Sequence, residues 1–170
     1  MMRIFIFSIM AFMLTACGFT PLHGSTSSDV KLSDLQVALA PIRDVQEREA
    51  GYYVQQRLLD RIGARDKAKH TVTITPRVTR RRIGVTGNDV ASRYDITIQV
   101  RYSLTESRTG KVLNEGRVES VSTFGAPNDS FGLIAADTNG TQQAAKELAD
   151  RLILKLSTYY TQEKANAATP

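Results

Sequence analysis

An α+β fold, a two-layer sandwich with two helices on one face of a four-stranded and mostly antiparallel sheet, is predicted by three features of this chain. Tyr94, Ile96, Ile98, Val100, Tyr102 and Leu104 alternate without a break with Asp95, Thr97, Gln99, Arg101 and Ser103. That pattern belongs to a strand with one packed and one polar face. Two stretches, Asp44 to Ile62 and Phe131 to Tyr160, carry apolar residues at three-, four- and seven-residue spacings, as helices covering such a sheet do. When sixteen N-terminal residues of the 170 are set aside, 154 remain, which suits a single domain with one core. The order of elements is β-α-β-β-β-α with no internal repeat, and the opening strand-helix-strand favours a right-handed crossover.

The first sixteen residues are set aside because Arg3 precedes an apolar run from Ile4 to Leu14, interrupted only by Ser8. This reads as a secretory signal, and it falls short of the roughly 20 residues a bilayer span needs. Leu14-Thr15-Ala16-Cys17 resembles the bacterial lipobox, which implies cleavage after Ala16 and acylation of Cys17. The alternative is an ordinary signal with an incidental cysteine. Against it, Cys17 is the only cysteine, so an exported chain would hold a reactive thiol with no intramolecular partner. Several acyl chains on Cys17 would anchor the domain stably, at about 0.8 kcal/mol per buried methylene. Gly18, rather than Asp, is what outer-membrane sorting leads one to expect by resemblance to other bacterial lipoproteins. Residues 17–30 read as a lipidated tether rich in Gly, Thr, Pro, Ser and Asp, residues 31–162 as the domain, and residues 163–170 as a disordered tail.

Within the domain, Leu35, Val37 and Leu39 define a first strand between Lys31 and Pro41. Asp44 is placed to cap a helix whose inward stripe is predicted as Val45, Tyr52, Leu58, Leu59 and Ile62. Glu47 and Glu49 near its start, Arg57 and Arg61 near its end, and Gly63 beyond suit the helix dipole and a C-cap. Gly51 costs about 1 kcal/mol relative to Ala and points to a close neighbour. A second strand, His70 to Thr79, sets Val72, Ile74 and Val78 against Thr71, Thr73, Thr75 and Arg77, with Pro76 marking an edge or a bulge. Arg80, Arg81 and Arg82 then lead into a connection from Gly84 to Ser92. After the alternating strand, Ser107 to Gly110 form a turn into a hairpin partner, Lys111 to Phe124, with a bulge expected near Glu115 and Gly116. The last helix stacks Ala145, Leu148, Leu152 and Leu156, and Asn139-Gly140 is expected to kink or split it.

The net charge is +5 for the whole chain and +4 once the segment with Arg3 is removed. This favours anionic partners such as phosphate-bearing lipid head groups or an acidic protein surface. With no Trp and few aromatics, base-stacking platforms are not expected, and no nucleic acid partner is called for. His23 and His70 are too few and too far apart for a metal site or a triad, and the lipid occupies the only thiol; no metal, cofactor or catalytic residue is assigned. Thr109-Gly110-Lys111 ends like a phosphate loop, but Thr105 stands where its first Gly belongs and Val112 where Ser or Thr would hold magnesium. The candidate site is the run Arg77, Arg80, Arg81 and Arg82, extended by Arg101, whose guanidinium groups suit a phosphate-bearing lipid or the acidic rim of a partner. The same run is equally what a solvated strand end looks like when it blunts an edge.

The octapeptide Cys17-Gly18-Phe19-Thr20-Pro21-Leu22-His23-Gly24 resembles the opening of the lipopolysaccharide-assembly lipoprotein family, LptE, with His23 where that family usually has an aromatic residue. The polar Asn128-Asp129-Ser130 segment before a long Ala- and Leu-rich helix is also similar. The resemblance implies a non-enzymatic lipoprotein, lipid-anchored at the periplasmic face of the outer membrane. It would be the plug and assembly partner of an LptD-like β-barrel and would bind lipopolysaccharide. An auxiliary lipoprotein of an ABC-type lipid transport system is the alternative, since such proteins also join a lipobox to a small α+β domain.

Overall fold

The chain forms one four-stranded sheet in the order β1 (Leu35–Leu39), β2 (His70–Val85), β3 (Ala91–Glu106) and β4 (Val112–Gly125). The computed structural model describes residues 32, 34–63, 68–85, 91–127 and 129–168, so Cys17, the signal and the tether lie outside the described residues. Helix α1 (Val45–Ile62) connects β1 to β2, and α2 (Ser130–Ala168) follows β4. β1 runs parallel to β2, and the β2–β3 and β3–β4 pairs are antiparallel. Both helices pack on one face, giving the predicted β-α-β-β-β-α sandwich.

The core is built from the alternation. Ile96, Ile98, Val100 and Leu104 on β3, Val72 and Ile74 on β2 and Leu35 on β1 are fully buried beneath Ala50, Val54 and Leu58 of α1 and Ala144, Ala145, Leu148, Leu152 and Leu156 of α2. β1 is short for a reason that lies in β2. The Ala40 amide donates to the Ile74 carbonyl at 2.9 Å, and the next donor in a parallel ladder would be the nitrogen of residue 76. That residue is Pro76, which has no N–H, so the ladder stops and β2 continues with one side open.

The inward face of α1 differs from the predicted stripe. Asp44 caps the helix, accepting from the Glu47 amide at 2.9 Å, and Gly63 closes it with φ 85°, as expected. The buried residues, however, are Ala50, Gly51, Val54 and Leu58, while Val45 is 67% and Tyr52 55% exposed. Small residues turn inward because the backbone lies almost on the sheet: a Cβ on Gly51 would stand 2.8 Å from Leu39 Cδ1 and 2.9 Å from Pro76 Cγ.

Of the kink or split expected at Asn139-Gly140, the split does not occur: α2 is one helix across that pair, and it runs to Ala168 rather than ending near Tyr160. Gly140 is buried, and a Cβ there would lie 3.0 Å from the Phe124 ring and 3.3 Å from Ile96, so the glycine permits close approach. The bulge also sits elsewhere. Leu104 pairs with Asn114 and Thr105 with Val112, so Leu113 is the extra residue. Gly116 instead lies opposite Tyr102, whose ring fills the space a side chain would take and whose hydroxyl donates to Asn114 Oδ1 at 3.0 Å.

Helix side chains reach the outward backbone of both edge strands. Gln55 Nε2 donates to the Val37 carbonyl at 3.2 Å. Arg151 Nη1 and Lys155 Nζ donate to the Glu119 and Arg117 carbonyls at 2.8 and 3.0 Å. Arg57 Nη2 meets Asp150 Oδ2 at 3.2 Å and ties α1 to α2.

Between β4 and α2, the buried Ser120 hydroxyl donates to Glu147 Oε2 at 2.9 Å, and Arg151 reaches Glu147 Oε1 at 2.6 Å. The hydroxyl first, and then the guanidinium, hold the Glu147 carboxyl below the ordinary glutamate range. A carboxyl with a lowered folded pKa contributes stability above its unfolded pKa and loses it as pH falls through the folded one. Ser120→Ala is therefore expected to raise the Glu147 titration midpoint and flatten the acid side of the stability profile, read by carboxyl carbon NMR and by thermal melts from pH 7 to pH 3. An unmoved midpoint would contradict the assignment.

Candidate functional site

The face of the sheet turned away from the helices carries no covering element among the described residues. Successive side chains point to opposite faces, so β2 offers Thr71, Thr73, Thr75, Arg77, Thr79 and Arg81 to this face. β3 adds Asp95, Thr97, Gln99, Arg101 and Ser103, and β4 adds Glu115, Arg117, Glu119, Val121 and Thr123. The registers align them in rows across the three strands: Thr75, Arg101, Arg117; then Arg77, Gln99, Glu119; then Arg81, Asp95, Thr123. Two shallow concavities, of about 680 and 390 Å³, lie along it.

This alternation divides the arginines predicted as one cluster. β2 extends to Val85, past the Thr79 at which the strand was expected to end, so Arg80, Arg81 and Arg82 are strand residues and point to alternate sides. Arg77, Arg81 and Arg101 occupy the open face. Arg80 turns toward the helices, where its Nε and Nη2 donate to both oxygens of Asp137 at 2.8 and 2.9 Å and its Nη1 to Gln46 Oε1 at 2.7 Å. It ties β2 to α1 and α2 together, and its charge is matched within the fold. Arg82, also on the helix side, lines an open groove of about 590 Å³ with Tyr94, Phe124, Leu133 and Ile134. Tyr94 and Phe124 stack there with centroids 5.6 Å apart, and Ile134 in its lining is 64% exposed. The lipid attachment residue Cys17 lies outside the described residues.

Several charges on the open face are engaged. Gln99 Nε2 donates to Glu119 Oε2 at 3.1 Å, Thr123 Oγ1 donates to Asp95 Oδ1 at 2.6 Å, and Arg77 Nη1 approaches Glu47 of α1 at 3.9 Å. Arg117 escaped the sequence reading. It is a single cation in a strand of uncertain register, and only the pairing of β3 with β4 places it directly opposite Arg101. The face offers guanidinium forks, hydroxyls and an amide, the equipment of a polar contact surface or an anion site. Among the described residues no group of three or more His, Cys, Asp or Glu is placed to hold a metal ion, and no helix is long and apolar enough to cross a membrane.

The model of a family described as "Lipopolysaccharide-assembly", LptE, matches residues 34–156, which include every strand, all of α1 and most of α2. Among solved structures the chain is similar to a putative lipoprotein from Caulobacter crescentus, at 24% identity and a TM-score of 0.64 over 80% of this chain and 96% of that one. It is also similar to the rare lipoprotein B from Shewanella oneidensis, at 14% identity and a TM-score of 0.56 over 76% and 98% of the two chains. A minor lipoprotein from Acinetobacter baumannii follows at 12% identity and a TM-score of 0.52 over 73% and 90%. At such identities the structures establish a shared fold. Comparison with curated protein sequences returns no match.

Proposed function

Given that this chain belongs to the LptE family of lipopolysaccharide-assembly proteins, we propose that it is the small lipid-anchored subunit of an outer-membrane lipopolysaccharide translocon. Cys17 carries the lipid and holds the domain at the periplasmic face of the outer membrane. The domain fills the lumen of an LptD-like β-barrel as its plug and assembly partner, and it contacts lipopolysaccharide through the guanidinium groups of the open face, Arg77, Arg81 and Arg101. Arg80 drops out of the binding set because its charge is matched by Asp137. Arg82 is assigned to the groove beside Tyr94 and Phe124.

The observation that carries this reading is the bare polar face. Fifteen or so ångströms of sheet across three strands, at about 4.8 Å per strand, present Thr, Gln, Arg and Glu side chains to the outside, as a surface meeting the polar interior of a barrel would. Holding and releasing a lipid requires no catalytic residue. The test is a photo-crosslinking residue in place of Thr97, at the middle of the open face, in the envelope of the native host. Crosslinks to a large heat-modifiable outer-membrane barrel are expected. A silent Thr97 position, together with co-purification of an inner-membrane permease or its solute-binding partner, would replace this reading with the ABC-transport auxiliary one.

A further inference from the structure

On the open face, Arg101 and Arg117 are held side by side by the strand register, in a way that costs the fold energy. The Ile74 carbonyl faces β1, where it accepts from Ala40, so the backbone groups of Thr75 face β3 and those of its partner Arg101 face β2. Arg101 and Arg117 are therefore a non-hydrogen-bonded pair, the type that brings side chains closest, with Cα atoms about 4.5 Å apart. The Arg117 carbonyl accepts from Lys155 at the outer edge, as this geometry requires. Like charges directly opposite one another destabilise a sheet. Among the described residues no carboxylate lies within 4.0 Å of either guanidinium. Glu115 is the one acid lining the surrounding concavity, and it also stands beyond that distance. The rest of the lining includes the hydroxyls of Thr73, Thr75 and Ser103.

We propose that Arg101 and Arg117, with Thr73, Thr75 and Ser103, form a binding site for a phosphate group, either inorganic phosphate or the phosphomonoester of a lipid headgroup. Two forked guanidinium groups present planar donor pairs to tetrahedral oxygens, the hydroxyls supply further donors, and the anion removes the repulsion between the cations. Where the phosphate belongs to lipopolysaccharide, the site rests on the lipid-binding reading above; where it is free phosphate, it stands without it.

The experiment follows the arginine Nε–H resonances of the full mature chain by NMR during titration with inorganic phosphate, with thermal melts in parallel. Arg101 and Arg117 are expected to shift together and saturably, with Arg108 of the turn between β3 and β4 unmoved, and phosphate is expected to raise the melting temperature. Arg117→Gln should melt higher than the parent without phosphate, weaken binding roughly tenfold and need correspondingly more phosphate for the same rise in melting temperature, while Arg108→Gln, in the exposed turn between β3 and β4, keeps the parent response. Uniform, unsaturable shifts of all surface arginines would be ionic screening and would overturn the site. A second arm uses phosphatidylcholine vesicles containing either diphosphoryl lipid A or lipid A stripped of both phosphates. Capture by the first alone, lost in Arg101→Gln/Arg117→Gln, identifies the lipid as the source. Saturable phosphate binding without capture by either vesicle upholds the site with free phosphate as its ligand, and defeats only the lipid-binding reading.

Discussion

Gly51→Leu is expected to destabilise the fold by about 3 kcal/mol, the upper end for overpacking a well-filled core. Space for even one carbon is missing, since a Cβ there falls 2.8 Å from Leu39 and 2.9 Å from Pro76. Leu39 can rotate away, but the pyrrolidine ring of Pro76 cannot, so α1 has to lift off β2. Gly51→Ala gains about 1 kcal/mol of helix propensity and meets the same two neighbours, so its net change should be far smaller. Urea denaturation of both variants, with Gly51→Leu/Leu39→Ala as the third corner of a cycle, measures the coupling. A Gly51→Leu variant as stable as the parent would mean that α1 does not sit this close to the sheet.

Arg80→Ala is expected to lower stability by about 2 kcal/mol, because it strands the half-buried Asp137 carboxylate that two charge-assisted hydrogen bonds now satisfy. Arg81→Ala, one residue on, should stay within about 0.5 kcal/mol of the parent as an exposed substitution. The functional consequences should be reversed: Arg81 lies on the open face and Arg80 does not, so only the Arg81 change should weaken lipid A binding once folded protein is compared. Equal effects of the two substitutions on stability would contradict the division of the arginines between faces.

That division shows how far the residues alone could be read. The packed face of β3 was legible because six apolar side chains recur at every second position with polar ones between. The caps of α1 were legible because Asp44 and Gly63 act through local hydrogen bonds that the sequence specifies directly. β2 was underestimated because alternation gives way to Arg80, Arg81 and Arg82, three like residues that carry no period of their own. Only the pairing of Arg80 with Ile96 and Arg82 with Tyr94 on β3 shows that the strand continues. The inner face of α1 was misjudged because the usual weighting favours large apolar residues such as Val45 and Tyr52. Here the distance between helix and sheet selects Ala50 and Gly51 instead. Arg117 was missed for a related reason: its significance lies in what stands opposite, and a bulge at Leu113 rather than at Glu115 sets that register. Packing distance and cross-strand register are properties of pairs of elements, and neither is written in a single segment.

The hydrogen bonds from Gln55 to Val37 and from Arg151 and Lys155 to Glu119 and Arg117 bear on how this domain could attend a barrel while that barrel is still folding. An incomplete barrel exposes two unzipped rims, each seeking a strand. A sheet with vacant carbonyls along its own margins would be recruited as one more stave and trapped in the wall. Here helix side chains occupy acceptors on β1 and β4, and the stretch of margin left open is β2 beyond Pro76. In the proposed plug, β1 and β4 would thereby be kept from pairing with the wall.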